Sequence, residues 1–168
     1  MIRSFRGVTP RIDPEAILLE PCVVVGDVEI GAGTSVWFHA VIRGDMGSVR
    51  IGCRTSIQDC CVLHEALGGP SCIVEDDVTV GHGAILHGCL CKRGSLIGMG
   101  ATVLDGAVIE EEAMVGAGAM VPPGMVVPAG HLAVGVPAKV RRPLMPGEIE
   151  HTKAAAARYV ETARAHRE

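Results

Sequence analysis

Three of the chain's seven histidines fall close together in sequence, at His64, His82 and His87. Imidazole is the commonest side-chain ligand for transition metals and changes its charge near neutral pH. Arg43, Gln58, Asp59 and Glu65 lie in the same stretch. Scattered over a surface, the histidines would be isolated polar residues. Held together, three imidazoles with an open fourth position would make a catalytic zinc site. The elements that carry them decide between the two.

Those elements repeat. Aliphatic residues recur every six positions at Ile12, Leu18, Val24, Ile30, Val36 and Ile42. The series resumes at Ile51, Ile57 and Leu63, and again at Val74, Val80 and Leu86. After a one-residue slip it runs from Cys91 through Ile97, Val103, Ile109, Val115 and Val121 to Val127. A period of six fits neither an α-helix nor a flat strand. It fits a short strand followed by a corner, three of which make one triangular coil. Glycine often follows the anchor, as at Gly31, Gly52, Gly81, Gly98 and Gly116. At a corner a Cβ is often strained. One coil cannot bury its own apolar face, so many must stack. The expected fold is an all-β solenoid, a parallel β-helix of hexapeptide repeats.

Composition agrees. Aromatics are 2% of the 168 residues against 22 glycines, too few large rings for a conventional sandwich or bundle core. The tail changes character after Gly147, becoming rich in Ala, Glu, Lys and Arg. Ile149, Ala156, Tyr159, Val160 and Ala163 can share one helical face, with Pro143 and Pro146 marking the junction. The expected division is a β-helix over 1–145 and a C-terminal α-helix over 146–168 that packs back on the prism. The net charge of −4, without a basic stripe, argues against nucleic acid as a partner. No stretch is long enough to span a membrane. The N-terminus lacks the apolar run of a signal peptide. The seven cysteines are odd in number and form no C-x-x-C pair. They read as reduced thiols in a cytoplasmic protein, acting as small core hydrophobes.

The frame assigns faces. Units three apart share a side of the prism, so the unit of Ile42 stacks under that of Leu63, and that under Leu86. Arg43, His64 and His87 each follow these anchors and should form an outward column, with coils about 4.8 Å apart. Asp59 and His82 each sit two places after Ile57 and Val80 and should stack on another face. The two columns can converge only between neighbouring prisms, and a cyclic trimer closes such contacts. His64 and His87 of one subunit would then meet His82 of the next, with Arg43 and Asp59 paired across the interface. The insertions after Ile42 and Leu63 leave the frame open by one residue, which would turn a side chain inward.

These residues resemble the γ-class carbonic anhydrase family of the hexapeptide-repeat superfamily. The motifs are Arg43-Gly44-Asp45, Ile57-Gln58-Asp59 with His64 five residues on, and the run from Val80 to Cys89. Ile97-Gly98-Met99-Gly100 and Gly135-Val136-Pro137-Ala138-Lys139 also fit. The resemblance implies a homotrimer of left-handed β-helices with metal between subunits, either Zn2+ or, in some members, Fe2+ or Co2+. It assigns the ligands to His64, His82 and His87 and places Arg43, Asp45, Gln58 and Asp59 around them. Tyr159 resembles a tail tyrosine that reaches the site. The chain departs from the family at Ser56, usually Asn, and at Cys60 and Cys61, usually polar. The segment from Glu65 to Cys72 lacks the acidic loop of the founding type.

The implied activity is that of a zinc-dependent carbonate dehydratase, a lyase interconverting CO2 and bicarbonate. Three neutral histidines leave a zinc ion its charge, which lowers the pKa of a bound water to about 7, and the hydroxide formed attacks CO2. Gln58 would orient hydroxide or substrate through its amide. Asp45 and Asp59 would orient Arg43 and the ligands. Tyr159 would hydrogen-bond substrate or water, or else pack the helix against the prism. Glu65 beside His64 is a candidate proton shuttle, against the plainer reading of a solvated loop glutamate. Two other functions fit the repeat. One is a coenzyme-A-linked acyltransferase or thioesterase, and the other a non-catalytic, metal-clamped trimeric scaffold.

Overall fold

A computed structural model describes residues 1–166. The chain winds through about seven turns as a left-handed parallel β-helix and ends in one helix. Most strands are two or three residues long, because a six-residue unit has room for no more before its corner. On the first face Leu18 pairs with Val36, Val36 with Ile57, Ile57 with Val80, and Val80 with Ile97. The ladder continues through Val115 to Ala133. On the second face Val24 pairs with Ile42, Ile42 with Leu63, Leu63 with Leu86, and Leu86 with Val103. The third face stacks Ile30, Ile51, Val74, Cys91, Ile109 and Val127.

These anchors fill the interior, and Val36, Ile42, Ile57, Leu63, Val80 and Leu86 are all 0% exposed. Strand side chains alternate between faces, so a buried anchor turns its neighbour outward. Both insertions fall at the corner between the second and third faces. The register of Ile42 with Leu63 is therefore undisturbed, and the frame takes the form in which Arg43, His64 and His87 point out.

Strands Val23–Ile30 and Val41–Ile51 run without a break around that corner. There Gly26 lies in register with Gly44. A Cβ on Gly44 would sit 2.3 Å from the Asp27 carbonyl oxygen, and one on Gly26 would sit 2.2 Å from that of Gly44. Backbone atoms on rigid strands cannot give way at such distances. We expect Gly44→Ala to destabilise the protein by about 3 kcal/mol, the upper end for overpacking. Chemical denaturation monitored by circular dichroism checks this.

The helix Pro146–Ala165 starts with proline in its first turn, where the missing N–H costs nothing. The Glu148 carboxylate accepts from both Arg142 guanidinium nitrogens at 2.7 and 2.8 Å and from the Met145 amide at 2.8 Å. Arg142 above all, with that amide, holds the Glu148 carboxyl down at about 2. Thr152, Ala155, Ala156 and Ala163 are buried against the prism, while Ile149, Tyr159 and Val160 are half-buried. Thr152 and Ala155 were absent from the apolar face read in the sequence. Small side chains let the helix lie close, and that closeness buries them.

Five cysteines are core residues, namely Cys22, Cys61, Cys72, Cys89 and Cys91. Burial pushes the Cys61 thiol up to about 12, so it stays protonated. Cys53 is only half-buried, and Cys60 does not fit the core reading. It is exposed, at a corner with φ of 60°, in the stack that also holds His39 with φ of 61°.

Candidate metal centre

The second face carries one cluster. His64 and His87 end strands Val62–His64 and Ile85–His87 and lie in register. Their ring centroids are 5.3 Å apart, and His64 Nδ1 is 3.3 Å from His87 Nε2. Arg43 stands one coil away, with Nη1 2.7 Å from both carboxylate oxygens of Asp45. Asp45 Oδ1 is 3.1 Å from His64 Nε2. Burial alone would raise the Asp45 carboxyl, but hydrogen bonds from Arg43 and His64 outweigh it and hold it below its ordinary value.

Asp105 belongs to this cluster and was missed in the sequence. Its Oδ1 lies 2.7 Å from His87 Nδ1. Gly88 makes the room, since a Cβ there would lie 2.3 Å from that oxygen. The signal was available. Asp105 stands two places after Val103, the anchor stacked on Leu86, one coil beyond where the column of histidines stops.

The first face carries the second cluster. His82 Nδ1 is 2.6 Å from Asp59 Oδ2. Gln58, 3% exposed, accepts the His82 backbone N–H through Oε1 at 3.1 Å. Tyr159 packs edge-on against Trp37 with centroids 5.6 Å apart, and its ring also comes within 6.5 Å of His82. It therefore both anchors the helix and borders His82. A groove of about 390 Å³ runs beside them, lined among others by Met99, Met114 and Arg158. A larger groove of about 520 Å³ lies against Arg54, Lys153 and Val160 and contains no histidine.

Within one chain, then, His64 and His87 are together and His82 stands apart on another face. Arg43 pairs with Asp45, and Asp59 with His82. Glu65 is not a solvated loop residue. It is 0% exposed and accepts the Gly47 and Met46 amides through Oε1 at 2.7 and 3.2 Å. His39 and His131 join neither cluster, while His151 lines the groove beside His82.

One pattern is common to the three histidines. Each offers one ring nitrogen to one carboxylate, as His64 to Asp45, His82 to Asp59 and His87 to Asp105. A carboxylate accepts a hydrogen bond from the N–H at that nitrogen, which leaves the lone pair on the other. Carboxylate–histidine pairs of this kind orient metal ligands and raise their basicity. The spacing fits as well. Two nitrogens on one tetrahedral zinc, at bonds near 2.05 Å, stand about 3.3 Å apart, and His64 Nδ1 and His87 Nε2 are 3.3 Å apart. Asp45, His64 and Glu65 also offer donors within 4.8 Å of one another. That set suits a cation less well, because the Arg43 guanidinium already occupies Asp45 and two amides occupy Glu65.

No protein-family model matches the chain. A carbonic anhydrase of Geobacillus kaustophilus is 47% identical over 96% of this chain and 88% of its own. The mitochondrial gamma carbonic anhydrase 1 of Arabidopsis thaliana is 42% identical over 94% of this chain and 59% of its own. Among solved structures, the BC4754 gene product of Bacillus cereus superposes with a TM-score of 0.96 at 42% identity, covering 99% of this chain and 96% of that one. A hexapeptide transferase family protein from Anaplasma phagocytophilum gives 0.94 at 35% identity, covering 98% and 97%.

Proposed function

Since this chain belongs to the γ-class carbonic anhydrase family, we propose that it is a metal-dependent carbonate dehydratase working at sites shared between subunits of a homotrimer. Its substrates would be CO2 and bicarbonate. The observation that carries this reading is the pairing of each of three histidines with its own carboxylate, which leaves the second ring nitrogen of each for a metal, His64 Nδ1 and His87 Nε2 standing 3.3 Å apart. In a cyclic trimer the second face of one subunit meets the first face of the next. His64 and His87 of one chain and His82 of its neighbour would then hold one metal. Zinc suits three neutral nitrogens, and Fe2+ or Co2+ would also be accepted. When bound, the metal supplies the Lewis acid that makes water nucleophilic near neutral pH.

The chain's own residues do the rest. Asp45 keeps a proton on His64 Nε2, Asp59 one on His82 Nδ1 and Asp105 one on His87 Nδ1. Gln58 has its carbonyl oxygen engaged by His82, so its –NH2 is the group left to donate to a substrate oxygen. Arg43 balances Asp45 and would offer positive charge to an anionic product. The Tyr159 hydroxyl would bond substrate or water at the mouth of the groove. No helix among the described residues is long and apolar enough to cross a membrane, and the proposal places the protein in the cytoplasm.

The test is to purify the protein without oxygen, quantify metal, and assay CO2 hydration by stopped flow. About one metal per chain with metal-dependent hydration is expected, as each trimer interface holds one site. A metal-loaded trimer without hydration would reject the activity.

A second reading has an observation of its own. CO2 needs little space, yet the groove beside His82 reaches about 390 Å³ and is lined by Met99 and Met114. A solved relative is named as a hexapeptide transferase family protein. Acyl transfer or hydrolysis of an acyl thioester would use such a groove for the acyl chain. Turnover of acetyl-coenzyme A by a preparation inactive toward CO2 would favour this reading.

A further inference from the structure

We infer that Glu65 is a positioning residue, whose buried carboxylate pins the Asp45–Gly47 bend and so sets where Asp45 meets His64. The inference rests on the ligand role proposed for His64. It begins with unpaired backbone. Strand Val41–Ile51 follows Val23–Ile30 closely until its register shifts between Gly26 and Val28, where the inserted residues bulge from the corner. Amides in such a bulge lack ladder partners, and although Met46 and Gly47 are exposed residues, their amides turn in to a side-chain acceptor. Glu65 is that acceptor for two of them, Gly47 at 2.7 Å and Met46 at 3.2 Å, both through Oε1. Successive N–H groups converging on one anionic oxygen form a nest. Gly47 completes the fit, since a Cβ there would lie 2.8 Å from Glu65 Cγ.

Asp45 directly precedes the clamped amides, so its carboxylate takes its place from the bend. There it meets Arg43 at 2.7 Å and His64 Nε2 at 3.1 Å. Release of the bend would free Asp45 and, with it, the choice of which nitrogen His64 offers beside His87. The same geometry argues against Glu65 as the proton carrier. A shuttle must exchange protons with solvent, and this side chain is 0% exposed with Oε1 held by amides. Its Oε2 is buried without a hydrogen-bond partner among the described residues. The clamp therefore depends on one oxygen, which a glutamine also has.

The experiment compares wild type, Glu65→Gln, Glu65→Ala and Gly47→Ala in the full chain. Three quantities are read: amide exchange at Met46 and Gly47, the His64 tautomer from 15N imidazole shifts without metal, and zinc affinity by chelator competition. Glu65→Ala and Gly47→Ala should speed exchange at least about tenfold, mix the His64 tautomers and weaken zinc about 10- to 100-fold. Glu65→Gln should stay within about threefold of wild type, because its amide oxygen keeps both bonds. Unchanged exchange and tautomer in Glu65→Ala would overturn the inference. So would a Glu65→Gln protein that binds zinc normally but loses hydration at low buffer and regains it with added imidazole, the behaviour of a lost shuttle. If Glu65→Ala does not fold, Gly47→Ala breaks the same clamp from the bend side. If the wild-type chain binds no zinc, the proposed function falls, and exchange and tautomer still decide whether Glu65 acts on His64.

Discussion

Chains carrying His64→Ala and chains carrying His82→Ala should each be inactive alone, yet regain hydration when coexpressed as mixed trimers. His64 and His87 share one face of the prism, and His82 stands on another with its own carboxylate. If sites form between subunits, an interface is intact when the His82→Ala chain contributes its second face and the His64→Ala chain its first. Random mixing of equal amounts makes about a quarter of interfaces intact in a cyclic trimer. Stopped-flow hydration per trimer should therefore reach about a quarter of wild type, with metal content rising in proportion. Each variant alone should lose measurable hydration, since an open tetrahedral zinc site needs all three of its protein ligands. No recovery in mixtures would mean that each site draws its histidines from one chain. Metal binding with no hydration in any mixture would point to the scaffold instead.

Asp105→Asn should weaken metal binding about tenfold, and Asp105→Ala nearer a hundredfold, the range for outer partners of ligating histidines. The carboxylate accepts a hydrogen bond from His87 Nδ1–H at 2.7 Å, which leaves the lone pair on Nε2, the nitrogen facing His64 Nδ1. An asparagine can still accept from Nδ1, but it can also turn and donate, which favours the wrong tautomer. Gly88→Ala should act in the same direction, because its Cβ would land 2.3 Å from the carboxylate oxygen. Chelator competition measures the affinity, and the turnover of each fully loaded protein separates binding from chemistry. Wild-type affinity in Asp105→Ala would remove Asp105 from the site.

How much of this was legible in the chain differs from residue to residue. Leu63 and Leu86 lie in the six-residue series and are buried, and the neighbours that follow them point outward because strand side chains alternate. That local rule needs no tertiary information, so the coil, the stacking of His64 with His87 and that of Asp59 with His82 followed from spacing. Periodicity did not carry the left-handed sense of the coil, which entered through resemblance. Nor did it carry the fate of residues outside the period. Glu65, Asp45 and Gly47 lie in or beside the insertions at one corner, where no repeat dictates direction. Their places depend on which backbone amides the bulge leaves unpaired and which acceptor reaches them. Asp105 lies within the period, but its choice of His87 depends on the space at Gly88 in the coil before it. Sequence alone thus determined which side chains point inward and which share a column, because both depend on alternation and a fixed repeat. Only the tertiary structure decided which carboxylate holds which histidine, because that depends on distances of a few ångströms between coils that the repeat does not encode.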